Sequence, residues 1–140
     1  MGRASVRNLL LCLGAYFLSW WVAILVTIPF TFITNRIYYH GEFQGYVVMP
    51  LVERLPIAIV AAAVGSLVAW LADSPRPSLW TLIPAVLFFA HGLRGYHWVQ
   101  PPTAGDRLGQ IIGAAFPAVA CLVSGFVTER RLARRNQLSH

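Results

Sequence analysis

Four apolar stretches alternate with short polar connections along this chain, and their lengths predict helices rather than strands. The first runs from Leu9 to about Thr34. The second is free of charge from Leu55 to Leu71, and the fourth from Leu108 to Val127. Each reaches the roughly 20 apolar residues a helix needs to cross a bilayer, where backbone N–H and C=O groups must be satisfied inside their own segment. The third is apolar only from Leu79 to Ala90, and reaching span length takes in His91, Arg94 and His97 near one face. The pattern predicts spans over about 9–34, 52–72, 78–98 and 108–128. The expected fold is an all-α integral membrane four-helix bundle, a single transmembrane domain over residues 1–140. At about 26 residues, the first stretch exceeds the apolar region of a cleavable signal peptide, roughly 7–15 residues, and reads as a retained anchor.

Composition agrees with the pattern. Hydrophobic residues make up 57% and charged residues 11%, whereas soluble domains run nearer one-quarter charged. The basic residues add the topology. Arg3 and Arg7 precede the first span and Arg130, Arg131, Arg134 and Arg135 follow the last, as short cytoplasmic flanks do. With both termini inside, Arg76 joins these six against Arg36, Arg54, Arg94 and Arg107 outside. The expected location is therefore the inner (plasma) membrane of a bacterial-type cell, multi-pass, with both termini cytoplasmic. A pI of about 10.2 would suggest nucleic acid in a soluble domain, but here anionic membrane lipids account for the basic flanks. All eleven basic residues are Arg, whose planar fork suits phosphate, although a biased genome composition explains the same preference.

One polar pattern is written twice. His40-Gly41, Gly45-Tyr46, Pro50 and Glu53-Arg54-Leu55 lead into the second span; His91-Gly92, Gly95-Tyr96, Pro101 and Asp106-Arg107-Leu108 lead into the fourth. This predicts two parallel-repeat helical hairpins, residues 1–73 and 74–140, with similar polar clusters on the outer face. Asp106 reads as a helix cap, and Pro56 as a first-turn residue of the second helix. On a structural reading, Arg54 and Arg107 snorkel to headgroups. On a functional one, His40, Glu53, Arg54, His91, Arg94, His97, Asp106 and Arg107 line a vestibule for a solute or ion, as ionisable groups at membrane depth suggest.

Small residues recur every fourth position, which lets helix backbones approach closely. The fourth span carries Gly109, Gly113, Pro117, Cys121 and Gly125; the second carries Ala58, Ala62 and Ser66 beside Ala61, Gly65 and Ala69; the first carries Ala15, Ser19, Ala23, Thr27 and Thr31. Three such stripes predict a homo-oligomer or contact with other membrane subunits, internal packing being the alternative. Pro29, Pro84 and Pro117 sit within spans and interrupt their hydrogen bonding. Trp70, Trp80 and Trp98 fit an interfacial aromatic belt, with Trp20 and Trp21 deeper. Asp73 and Arg76 read as a tight polar connection.

No phosphate loop, His-Glu-x-x-His, paired-Cys motif or nucleophile elbow is present in the sequence, which argues against an enzyme. Cys12 and Cys121 fall in apolar spans at similar depth and read as small hydrophobes rather than a disulfide or metal pair. Haem b is the one cofactor considered, through His40 and His91 at related depths. The sequence thus points to a non-enzymatic multi-pass protein, working in an oligomer or complex, that binds or passes a small solute or ion at an outward-facing vestibule. The alternatives are a membrane anchor subunit of a redox complex, or a structural subunit recruiting partners through its basic tail from Glu129 to His140.

Overall fold

A computed structural model describes residues 3–34, 47–94 and 103–138. Among these, every regular element is helical: α1 (Arg3–Thr34), α2 (Met49–Leu71), α3 (Leu82–Arg94) and α4 (Ala104–Leu138), with a 3-10 turn, Pro77–Thr81, feeding directly into α3. Three of these helices, α1, α2 and α4, are long and apolar enough to cross a membrane. At 13 residues α3 is shorter than a span.

Contacts fix the directions. Asn8 at the start of α1 bonds Asp73 just after α2, so these two helices run antiparallel. Cys12 meets Trp80, Tyr16 meets Phe88 and Trp20 meets His91, so α1 and α3 ascend together. Gly92 lies on Ala114 and Gly125 on Thr81, so α4 descends beside α3 and parallel to α2. The start of α1 and the far part of α4 consequently lie at the same end of the bundle, called here the base.

The α2–α4 pair is the spine, and small residues make it possible. A methyl group on Gly65 would overlap the Cys121 carbonyl oxygen and stand 2.5 Å from Ser124 Oγ. One on Gly92 would lie 2.7 Å from the Ala114 Cα. Backbone packs on backbone at both crossings, where dispersion and close approach replace the hydrophobic driving force that lipid does not supply. The residues Gly109, Gly113, Pro117, Cys121 and Gly125 are all buried. On α2 the inward face is Ala58, Ala61, Gly65, Val68 and Ala69, whereas Ala62 and Ser66 are only half-buried. On α1 the inward positions are Asn8, Cys12, Ala15, Tyr16, Ser19 and Ala23. All three stripes thus have internal faces to meet, so small-residue spacing does not by itself require a second subunit.

The outward side of α1 is apolar and open. Phe17 and Leu18 are each 65% exposed, and Trp21 and Leu25 each 72%, as suits side chains solvated by lipid tails. Trp20 and Trp21 part company here: Trp20 turns inward onto His91, while Trp21 faces out.

Helix starts depart from the expected boundaries in two places. The second helix begins at Met49, so Pro50 holds the first turn and Pro56 lies buried in the interior; Glu53 is a turn into the helix and caps nothing. At the start of α4 the cap is Thr103. Its Oγ1 accepts from the Asp106 N–H at 3.2 Å, while Asp106 Oδ2 accepts from Thr103 N at 2.8 Å and from Thr103 Oγ1 at 2.6 Å. This is a reciprocal capping box, in which Asp106 is the third residue rather than the cap.

Candidate functional site

At the end opposite the base, four helices converge on a small cleft. Its walls are Ser19, Trp20 and Ala23 of α1, Arg54 and Ile57 of α2, Phe88, His91 and Gly92 of α3, and Gly113 and Pro117 of α4. The volume open to the centre of a water molecule is about 30 Å3, enough for about two waters. Each wall has a local reason. Gly92 lets Ala114 of α4 pack directly on the α3 backbone, Gly113 and Pro117 are buried on α4, and Tyr16 below meets Phe88 edge-on at 5.1 Å. The Trp20 ring meets His91 edge-on at 4.0 Å between centroids, interplanar angle 67°. The Tyr16 hydroxyl donates to the Leu87 carbonyl at 3.4 Å, holding α1 and α3 in register beneath the cleft.

Of the expected vestibule residues, Arg54 and His91 line this cleft together. Arg94 stands close enough for its charge, like that of Arg54, to act on His91. Glu53 and Arg107 are placed apart: both belong to helix ends at this level, and both are exposed rather than turned into the cleft. Asp106 is engaged with Thr103, whose side-chain hydroxyl and then backbone N–H hold its carboxyl below the ordinary carboxylate range. His40 and His97 lie outside the described residues. At the described helix starts, α4 opens with a capping box and α2 with Pro50 and an exposed Glu53.

The base is fastened by polar clamps of its own. Asn8, 1% exposed, donates from Nδ2 to the Asp73 carbonyl and accepts from the Asp73 N–H, both at 3.1 Å. Arg7 adds an exposed ion pair to Asp73 at 3.5 Å, which contributes little in water. Glu129 Oε2 accepts from the Ser78 N–H at 2.8 Å, serving an N–H at the open start of the 3-10 turn. Hydrogen bonds from the Ser78 side chain and backbone hold the Glu129 carboxyl below its ordinary range. Past this clamp α4 continues to Leu138, carrying Arg130, Arg131, Arg134 and Arg135 clear of the bundle, with Arg130 over the Phe126 ring at 4.4 Å.

The remaining reactive side chains are tied to structure. Ser19 donates to the Tyr16 carbonyl at 2.6 Å and Ser124 to the Cys121 carbonyl at 2.9 Å, back-bonds within their own helices. Cys12 donates to the Trp80 carbonyl at 3.3 Å, and the Cys121 sulfur lies 3.8 Å from the next carbonyl, Thr81. No Cα of α1 comes within 8 Å of one in α4, beyond what a disulfide tolerates. Among the described residues no three His, Cys, Asp or Glu side chains group as a metal site. Trp20 occupies one flank of the His91 ring, and His40, the other residue of the haem expectation, lies outside the described residues.

Fold and site together define a protein that is all-helical among its described residues, with three helices able to span a membrane and a small, largely apolar cleft lined from four helices, Arg54 and His91 among its walls. Comparison with protein-family models, with curated proteins and with solved structures finds no match for the chain.

Two contributors escaped sequence reasoning. Asn8 sits in a polar flank beside Arg7, where nothing periodic marks it as buried. Trp20 reads only as an aromatic residue deeper in the first span than the interfacial belt until its partner, His91, is known. The signal for Pro117 was present, as a proline on a small-residue stripe, but it pointed to bending and not to a cleft wall.

Proposed function

We propose that this chain is a non-enzymatic multi-pass membrane protein that binds a small anion at the cleft between Arg54 and His91. The observation that carries the reading is convergence: side chains from α2 and α3 that are far apart in sequence meet on one cavity walled by all four helices. An ionisable group at membrane depth is costly unless it serves such a site. The volume of about 30 Å3 suits an ion or a solute of a few atoms and is too narrow for a larger metabolite.

In this reading the chain crosses the membrane four times. The 3-10 turn of five residues and the 13 residues of α3 rise about 2.0 and 1.5 Å per residue, some 30 Å together, the thickness of the hydrocarbon layer. The base then carries Arg3, Arg7, Arg76 and the four arginines of the α4 extension, which the positive-inside rule puts in the cytoplasm, with the cleft facing out. A homo-oligomer or a larger complex is part of the reading; the exposed face of α1 around Trp21 and Leu25 is where a neighbour replaces lipid. The basic end of α4 favours a second role, holding anionic lipid or an acidic partner at the inner surface.

Calorimetric titration of the detergent-purified protein with sodium salts of small anions tests the reading. Binding is expected, and Arg54→Ala and His91→Ala are expected to weaken it by tenfold or more. Equal binding by wild type and both variants would remove the cleft from consideration, and flux into liposomes under the same substitutions tells passage from binding alone.

A further inference from the structure

We infer that one anionic phospholipid binds in a groove at the base, its acyl chain lying between the 3-10 turn and α4 and its phosphate held at Arg130 and Arg131. The inference rests on the membrane reading above and gives the second role proposed there a defined site and one class of ligand.

Residue size makes the groove. Gly125 of α4 packs on Thr81, where an added methyl would stand 2.5 Å from the threonine methyl carbon, so the two elements close into a floor. Larger side chains stand along both sides, Leu79 and Leu82 on one and Leu122, Val123, Phe126 and Val127 on the other. The volume open to the centre of a water molecule is about 370 Å3, against about 30 Å3 for the cleft. Such an apolar trough on the outside of a spanning bundle takes hydrocarbon, and charge decides what the hydrocarbon is attached to. Residues four apart share a helix face, and both α4 rows that wall the groove run on into arginine at the base: Leu122, Phe126, Arg130 and Val123, Val127, Arg131. The Arg130 guanidinium sits over the Phe126 ring at 4.4 Å, at the mouth of the groove, and among the described residues none pairs with it by hydrogen bond or ion pair. Its donors are therefore open to phosphate oxygens. Glu129 does not cancel this charge, because it accepts from the Ser78 N–H at 2.8 Å and has Arg76 nearby. A phospholipid has the matching layout, an apolar chain at depth and an anionic phosphate at the interface. A second copy of the chain matches less well: it stands in the same orientation in the membrane, and a symmetric contact on this face sets its arginines beside the same arginines.

Native mass spectrometry of the full chain in detergent, titrated with phosphatidylglycerol or with phosphatidylcholine of identical acyl chains, tests the site. The anionic lipid is expected to bind on the order of thirtyfold tighter, roughly fivefold for each of two arginines near the phosphate. Arg130→Gln combined with Arg131→Gln should bring the two lipids within about threefold of each other. Arg134→Gln combined with Arg135→Gln removes the same charge one turn farther from the groove and should keep most of the preference. Val123→Trp fills the trough from an exposed position and should weaken both lipids. Equal affinity for the two lipids in the wild type overturns this inference and leaves the membrane reading standing, whereas a chain that stays in solution without detergent overturns both. A preference that falls as far in the Arg134, Arg135 variant as in the Arg130, Arg131 variant belongs to the whole basic tail and removes the groove. Dimers that Val123→Trp dissociates, with no lipid preference, would put a second copy in the groove in place of lipid.

Discussion

Replacing Gly65 by alanine inserts one methyl group where α2 and α4 cross. The new carbon overlaps the Cys121 carbonyl oxygen and lies 2.8 Å from the Cys121 carbonyl carbon and 2.5 Å from Ser124 Oγ. Ser124 can rotate away; the backbone of α4 cannot. The helices must separate at their closest point, and overpacking of this kind costs about 1–3 kcal/mol, with immovable backbone on both sides placing it near the top of that range. Against this, alanine gains about 1 kcal/mol over glycine as a helix former. The net expectation is a loss of about 2 kcal/mol. Gly14→Ala supplies the control, because nothing lies within 4 Å of its added methyl and only the propensity gain remains. Reversible unfolding in mixed micelles at increasing dodecyl sulfate fraction, followed by circular dichroism, should separate the two variants by about 3 kcal/mol. If Gly65→Ala unfolds within 0.5 kcal/mol of Gly14→Ala, the close crossing of α2 and α4 is wrong.

Other consequences follow from the base. Asn8→Ala removes both hydrogen bonds to Asp73 and leaves the interhelical turn without its clamp, which should cost about 1–3 kcal/mol in the same unfolding measurement; Asn8→Asp keeps the acceptor and loses the donor, and should fall between. Glu129 makes a pH-dependent contribution. Its folded carboxyl is held low by Ser78, so the stabilisation is complete above the unfolded carboxylate pKa and disappears as pH falls through the lowered folded value. Unfolding measured from neutral pH downward should show a loss of stability on the acid side that is smaller in Glu129→Gln. An identical acid limb in both proteins would refute the Glu129–Ser78 clamp.

How far the sequence carried the structure depends on what each signal encodes. Period and length revealed the long apolar helices, because in lipid every span must satisfy its own backbone and so must be continuous. The stripe Gly109, Gly113, Pro117, Cys121, Gly125 was legible for the same reason: residues four apart share a helix face. A stripe shows that something approaches closely but not what approaches. The expected second subunit was one answer; α2, α3 and the 3-10 turn supply another. On α2 two neighbouring stripes competed, and the choice of Ala61, Gly65 and Ala69 with Ala58 over Ala62 and Ser66 is a matter of helix rotation, set by the partner. The site divided similarly. Arg54 and His91 stood out as ionisable residues at the margins of apolar stretches. Matching Glu53 to Asp106 and Arg54 to Arg107 followed chain order, whereas helical phase and distance from the helix start decide which side chains turn inward. Thr103 shows the limit, since its hydroxyl takes the role that the repeated pattern assigned to Asp106.

Prolines in two helices remove the same kind of α-helical donor, and the surroundings of the two carbonyls differ. Pro84 withdraws the helical donor from the Trp80 carbonyl, as Pro117 does from Gly113. The Trp80 carbonyl accepts from the Leu82 N–H of its own turn and, from α1, from the fully buried Cys12 at 3.3 Å; Gly113 lines the cleft. If the thiol matters as a donor, Cys12→Ala should destabilise by more than its lost volume, about 1–2 kcal/mol in all. Cys12→Ser is smaller and more polar, which in an apolar site predicts a loss, yet its hydroxyl is the stronger donor toward the same carbonyl. Serine should therefore recover most of the stability that alanine loses in the dodecyl sulfate titration. Were Cys12→Ser the less stable of the two, Cys12 would be an apolar filler, and the Leu82 N–H would be donor enough for the Trp80 carbonyl.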